Sequence, residues 1–229
     1  MKKYIFFVIV LVILVFYFGK SFYSKNYFKK EMGNCSVIVK NEGNKKIDIV
    51  FLSDNVGKED IKKEIDFFLD SYPYSENKNK FNFFYAGETS CKVINDFVFC
   101  YSKDALKKAA HCPNDYIVVL SDQTPAVRSS AYLNFISLNV NHPKNVFLHE
   151  FGHVFSNLAD EYVYSIIPKG SENCKKKCEE FNNLGGCFKG CSEDGYFRSM
   201  ENSVMRTSKS KEYGEFNNLI INKNLQKYG

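Results

Sequence analysis

His149-Glu150-Phe151-Gly152-His153-Val154-Phe155-Ser156-Asn157-Leu158-Ala159-Asp160-Glu161-Tyr162 is the stretch on which the reading of this chain turns. An α-helix advances about 100° per residue, so histidines four apart stand one turn above each other on a single face and can share one cation. Zinc is the ion this spacing suits. Glu150, beside the first histidine, is then placed to reach a water in the open coordination position rather than the ion itself, the arrangement of metal-assisted hydrolysis. Phe151, Val154, Phe155 and Leu158 form the apolar face by which such a helix is buried. A Pro-bearing helix start, Asn141-His142-Pro143, stands just before it and follows an apolar, strand-like run.

A catalytic zinc site usually has three protein ligands, and two histidines leave one to find. Asp160 is the first choice. It keeps the angular face of His153, but a straight helix would carry it about 10 Å along the axis, so the chain must bend first. Asn157 is suited to that bend, since Asn is the non-glycine residue that best tolerates a left-handed conformation. Glu161 is the alternative ligand. With Asp160 on the ion, Glu161 is expected to brace the loop and Tyr162 to pack or hydrogen-bond at the site. His111 and His142 read as surface or capping residues.

Around this helix the chain alternates. Strands are expected over Ile47–Leu52, Phe81–Tyr85, Tyr116–Leu120 and Tyr132–Val140, with helices over Lys58–Leu69 and Asp104–Ala110 and a hairpin from Cys91 to Tyr101 turning at Asn95-Asp96. That order predicts an α+β fold with a mixed, largely parallel sheet packed by helices. A chain of 229 residues can bury a full core, and one principal domain over 47–229 is expected. The net charge of +5 is mild and much of it lies in lysines ahead of Ile47. No basic face or motif points to a nucleic-acid partner.

Met1-Lys2-Lys3 and the apolar run Tyr4 to Phe18 mark residues 1–19 as a signal anchor or signal peptide. The anchor is favoured, because Gly19-Lys20-Ser21-Phe22-Tyr23 has no small-residue cleavage pattern; the Lys-rich residues 20–46 then read as a stalk. The chain is therefore placed outside the cytoplasm, attached to a membrane or secreted. Eight cysteines in an exported chain predict disulfides. Cys91 with Cys100 is one expected pair, and Cys174, Cys178, Cys187 and Cys191 are expected to pair among themselves. A four-thiolate zinc site is the competing reading of that second group.

The joined His149-Glu150-Phe151-Gly152-His153 and Asp160-Glu161-Tyr162, with Arg128-Ser129-Ser130-Ala131-Tyr132 before and Ser203-Val204-Met205-Arg206 after, resemble the IgA metallopeptidase family of metzincin-like zinc peptidases. The likeness runs from about Ile47 to Met205. It implies a mixed sheet, an active-site helix and a methionine turn beneath the metal at Met205. Metzincins bend at a glycine where this chain has Ser156; the family often has glycine one position later, at Asn157. The function expected is a zinc endopeptidase with His149, His153 and Asp160 on Zn2+, Glu150 as catalytic base, and a peptide or protein substrate lying along an edge strand within Ser130–Val140. Tyrosines stabilise oxyanions in related peptidases, which makes Tyr213 a candidate although no motif marks it. A zinc amidase of cell-wall material and a catalytically silent anchored interaction module are the other classes considered; an intact Glu150 argues against the second.

Overall fold

The structure is a computed structural model that describes residues 35–229. The expected export segment and the first part of the expected stalk lie outside the described residues. From Cys35 onward the order is β1 (Ser36–Val39), β2 (Ile47–Asp54), α1 (Lys58–Asp70), β3 (Phe81–Glu88), β4 (Lys92–Ile94), β5 (Phe97–Phe99), α2 (Lys103–Ala109), β6 (Tyr116–Ser121), β7 (Ser130–Tyr132), β8 (Phe135–Asn139), α3 (Asn145–Ser156), β9 (Phe188–Cys191), β10 (Glu193–Arg198) and α4 (Glu215–Leu225).

Successive side chains of a strand point to opposite faces, and in β2 the run Ile49-Val50-Phe51-Leu52 is fully buried on both. Such a strand needs a layer on each side. β3, β2, β6 and β8 run parallel through the middle of a six-stranded sheet, and β1 and β7 close its edges antiparallel in the order β1-β3-β2-β6-β8-β7. Ile49 and Phe51 meet α1, α3 and α4 in the larger core. Val50 and Leu52 meet α2 and the β4–β5 hairpin on the opposite face. The result is a mixed α/β architecture with a largely parallel sheet.

Phe151 fixes the rotation of α3. Its ring packs edge-on against Phe68 at 5.0 Å, Tyr74 at 5.5 Å and Tyr116 at 5.3 Å. Residues two positions away on a helix point roughly 200° round from it, so burying Phe151 turns His149 and His153 to the other side.

All eight cysteines are bridged, as Cys35–Cys112, Cys91–Cys100, Cys174–Cys191 and Cys178–Cys187. The second group therefore forms two disulfides, and with every sulfur consumed the four-thiolate zinc reading falls. Four disulfides fit an oxidising compartment. Among the described residues no helix is long and apolar enough to cross a membrane.

Three local expectations change. The described part of the expected stalk, residues 35–46, belongs to the folded domain: β1 pairs with β3, and Cys35 is tied to Cys112 at the end of α2. Lys40 and Lys45 are exposed on the segment joining β1 to β2, which is why they resembled a solvated stalk. The single strand expected from Tyr132 to Val140 is instead the β7–β8 hairpin, reversing at Leu133 with φ 55°. Finally α4, the β9–β10 hairpin and a 3-10 stretch over Tyr74–Lys80 were not read from sequence.

One buried acid has a measurable consequence. Glu64 on α1 is 6 % exposed, its Oε2 has no hydrogen-bond partner among the described residues, and burial pushes its carboxyl up to about 7, with Lys144 opposing. Its ordinary value is 4.5, so between 4.5 and about 7 the folded chain holds this proton more tightly than the unfolded chain. Stability at this site therefore falls as pH rises through that window, by on the order of 3 kcal/mol. Glu64→Gln removes the ionisation. In urea titrations the variant should exceed the parent by about 3 kcal/mol at pH 8 and by under roughly 1 kcal/mol at pH 5; a pH-independent difference would contradict this.

Candidate metal centre

α3 ends where the sequence allows it to. Asn157 takes a left-handed conformation, φ 49° and ψ 36°, and its amide returns to the Gly152 and His153 carbonyls. The chain reverses there, and Asp160 comes back beside the histidines instead of continuing along the axis. His149 Nε2 lies 3.0 Å from His153 Nε2, and Asp160 Oδ1 lies 3.2 and 3.3 Å from the two.

The protons decide what this cluster can hold. His149 Nδ1 donates to the Val204 carbonyl at 2.9 Å and His153 Nδ1 to the Leu158 carbonyl at 2.6 Å. A carbonyl only accepts, so in each neutral ring the proton sits on Nδ1 and Nε2 presents a lone pair. Asp160 Oδ1 is buried with no donor among the described residues. The two Nε2 atoms and Oδ1 thus crowd one another, which is repulsive unless a cation, either a metal ion or a proton, takes the centre. Ligands about 2.0–2.1 Å from a tetrahedral ion stand about 3.3 Å apart. The separations of 3.0, 3.2 and 3.3 Å fit, and the group can hold a metal ion.

The charges respond accordingly. Burial alone would lower the His149 pKa, but Asp160 and Glu150 outweigh it and raise it to about 9. Asp160 is displaced the other way. Burial would raise its carboxyl, and the His149 and His153 rings hold it far below the usual range instead. Glu150 is raised, chiefly by burial, with the two imidazoles opposing. It is buried and borders a cleft of about 700 Å³ with His149, His153 and Asp160.

Glu161 is not part of this cluster. It is fully buried, accepting from Asn217 at 2.8 Å, Asn173 at 3.2 Å and the Ser203 hydroxyl. Its amide also donates to the Met205 carbonyl at 2.9 Å. It braces the loop, and Asp160 is the carboxylate brought to the histidines. Tyr162 lines the cleft, and burial followed by the nearby Asp160 charge raises its pKa. Tyr213 is elsewhere: it is fully buried beneath α3, with its hydroxyl donating to the Leu148 carbonyl and 3.1 Å from that of Tyr74. An oxyanion role for Tyr213 is excluded by that position. His142 also borders the cleft but sits between Ser129 and Pro125, apart from the cluster.

Several residues that hold Asp160 in place carried no sequence signal. Ser165 donates to Asp160 Oδ2 at 3.1 Å, and Ser192 to the Asp160 carbonyl at 2.6 Å. Asn173 clamps Ala159 on both sides, accepting from its amide at 2.7 Å and donating to its carbonyl at 2.9 Å. The next residue, Cys174, is bridged to Cys191, so the stapled C-terminal part supports the ligand loop. No protein-family model matches the chain, and no curated protein matches it.

Elemental analysis of the purified protein should find one divalent ion per chain. The ion should be lost in His149→Ala and His153→Ala and weakened in Asp160→Ala. Replacing Cys174 and Cys191 together by Ala, which loosens the support and leaves the ligands, should weaken binding about 10- to 100-fold. Wild-type protein that keeps no metal after reconstitution and dialysis would contradict the assignment.

Proposed function

We propose that this chain is a zinc-dependent endopeptidase working outside the cytoplasm, with His149, His153 and Asp160 holding the ion and Glu150 as general base. The observation that carries the reading is the convergence of two imidazole nitrogens and one carboxylate oxygen within 3.3 Å of one another, beside the buried Glu150 in one cleft. The nitrogen and oxygen donors suit zinc, and the likeness of His149 to His153 and Asp160 to Tyr162 to IgA metallopeptidases points the same way.

A zinc ion held by His149, His153 and Asp160 would supply Lewis acidity, making a water more acidic and polarising the amide carbonyl. The chain supplies the rest. Glu150 accepts the proton of the attacking water and passes it to the leaving nitrogen, a role for which its raised pKa is suited. The Leu158 and Val204 carbonyls keep both imidazoles in the tautomer that leaves Nε2 free to bind. β7 is an edge strand whose Ser130 and Ala131 border the cleft, so an extended peptide adds to it by main-chain hydrogen bonds. Export by residues 1–19, as a membrane anchor or a cleaved signal, accords with the four disulfides.

Glu150→Gln tests the chemistry. It keeps the size and removes the base, so zinc content should stay at the wild-type level while cleavage of a peptide library falls by about 10² to 10⁴. Equal cleavage by both zinc-loaded proteins would remove Glu150 from the mechanism.

A further inference from the structure

Two spaces meet at the reacting centre, and basic side chains line only the one that Glu150 borders. His149, Glu150, His153 and Asp160 border, with Arg128 and Arg206, the space of about 700 Å³. His153 and Asp160, without His149 or Glu150, also border a space of about 380 Å³ with Tyr132, Leu133, Val154 and Ile166, in which Asp160 is the only carboxylate and no arginine or lysine stands. Among the described residues neither arginine of the larger space pairs with a carboxylate. Arg128 is an exposed residue whose guanidinium lies over the Phe97 ring at 4.0 Å, and Arg206 donates to the Glu161 carbonyl at 2.7 Å. Stacking on an aromatic ring leaves the edge of a guanidinium free to take both oxygens of a carboxylate.

The direction of a bound chain follows from the base. The proton that Glu150 takes must reach the nitrogen of the leaving amine, so residues downstream of the cut bond lie on the Glu150 side. That is the side of both arginines. β7 runs from Ser130, at the larger space, to Tyr132, at the smaller, so a chain laid in this sense is antiparallel to the edge strand.

We infer that the cleft selects peptides carrying an acidic side chain downstream of the cut bond, recognised by Arg128 with Arg206 adding to the field. Only the direction rests on the endopeptidase reading; the charge of the larger space does not. Upstream residues meet walls that carry no arginine or lysine.

Peptide hydroxamates test this without turnover, because a hydroxamate head placed at the amino end of a short peptide binds the ion and sends the rest downstream. Two such probes, identical except for Glu or Lys in the side chains after the head, are titrated into zinc-loaded wild-type protein, Arg128→Glu and Lys62→Glu. Lys62 is exposed on α1, and its variant carries the same change in net charge. The Glu probe should bind wild type about tenfold more tightly than the Lys probe. The preference should invert in Arg128→Glu and persist in Lys62→Glu. Equal affinity for the two probes, whether tight or absent, overturns the inference, as does a preference that survives Arg128→Glu or disappears in Lys62→Glu. Charge-selective binding by a protein that cuts no peptide supports it, and counts against the endopeptidase reading alone.

Discussion

Two hydrogen bonds from imidazole to backbone hold the site together. His153 Nδ1 donates to Leu158 and His149 Nδ1 to Val204, and each bond fixes both the ring orientation and Nε2 as the nitrogen that faces the cluster. The two carbonyls come from different parts of the chain, so the site exists only if both are delivered. Leu158 is delivered by the left-handed turn at Asn157. Val204 is delivered by a segment that Glu161 grips at three points: its carboxylate takes the Ser203 hydroxyl, its amide donates to the Met205 carbonyl, and its carbonyl accepts from Arg206. A buried carboxylate is costly unless its donors are supplied, and Asn173 and Asn217 complete the set.

Close approach is the second constraint. Beneath α3, a Cβ added to Gly152 would stand 2.8 Å from Met205 Sδ and 3.1 Å from Tyr213 Cε1. No ordinary side chain fits there without displacing the floor of the site. Gly152 thus lets α3 settle onto Met205, which keeps the neighbouring Val204 carbonyl within reach of His149. The helix accepts a residue of poor helical propensity, a cost of about 1 kcal/mol, in exchange for that contact. Glycine inside a helix of this kind reports tertiary packing rather than local preference.

What the sequence made legible follows from which interactions are local. The pair His149 and His153 is set by helical periodicity, and the hairpin between Cys91 and Cys100 by Asn95 and Asp96, which do take positive φ of 50° and 62°. The parallel strands were legible because β2 and β6 are apolar on both faces. The partner of Cys35 was not legible, since it depends on where β1 joins the sheet, 77 residues from Cys112 in sequence. Tyr213 was misplaced for a similar reason: nothing near it in sequence reveals that α3 lies on top of it. α4, Glu215-Phe-Asn-Asn-Leu-Ile-Ile-Asn-Lys-Asn-Leu225, carries four asparagines, which are weak helix formers; it is a helix because Phe216, Ile220, Ile221 and Leu225 are buried. Arg128 stood in plain view, but its meaning required the cleft.

Nitrogen-15 correlation spectra of the imidazole rings, recorded on the full chain as zinc is added, test the geometry most directly. At one equivalent, His149 and His153 should both show a proton on Nδ1 and a metal-shifted Nε2, because Val204 and Leu158 occupy the other nitrogen of each ring. Zinc bound through Nδ1, or two rings whose Nε2 signals do not respond, would contradict the site described for this chain.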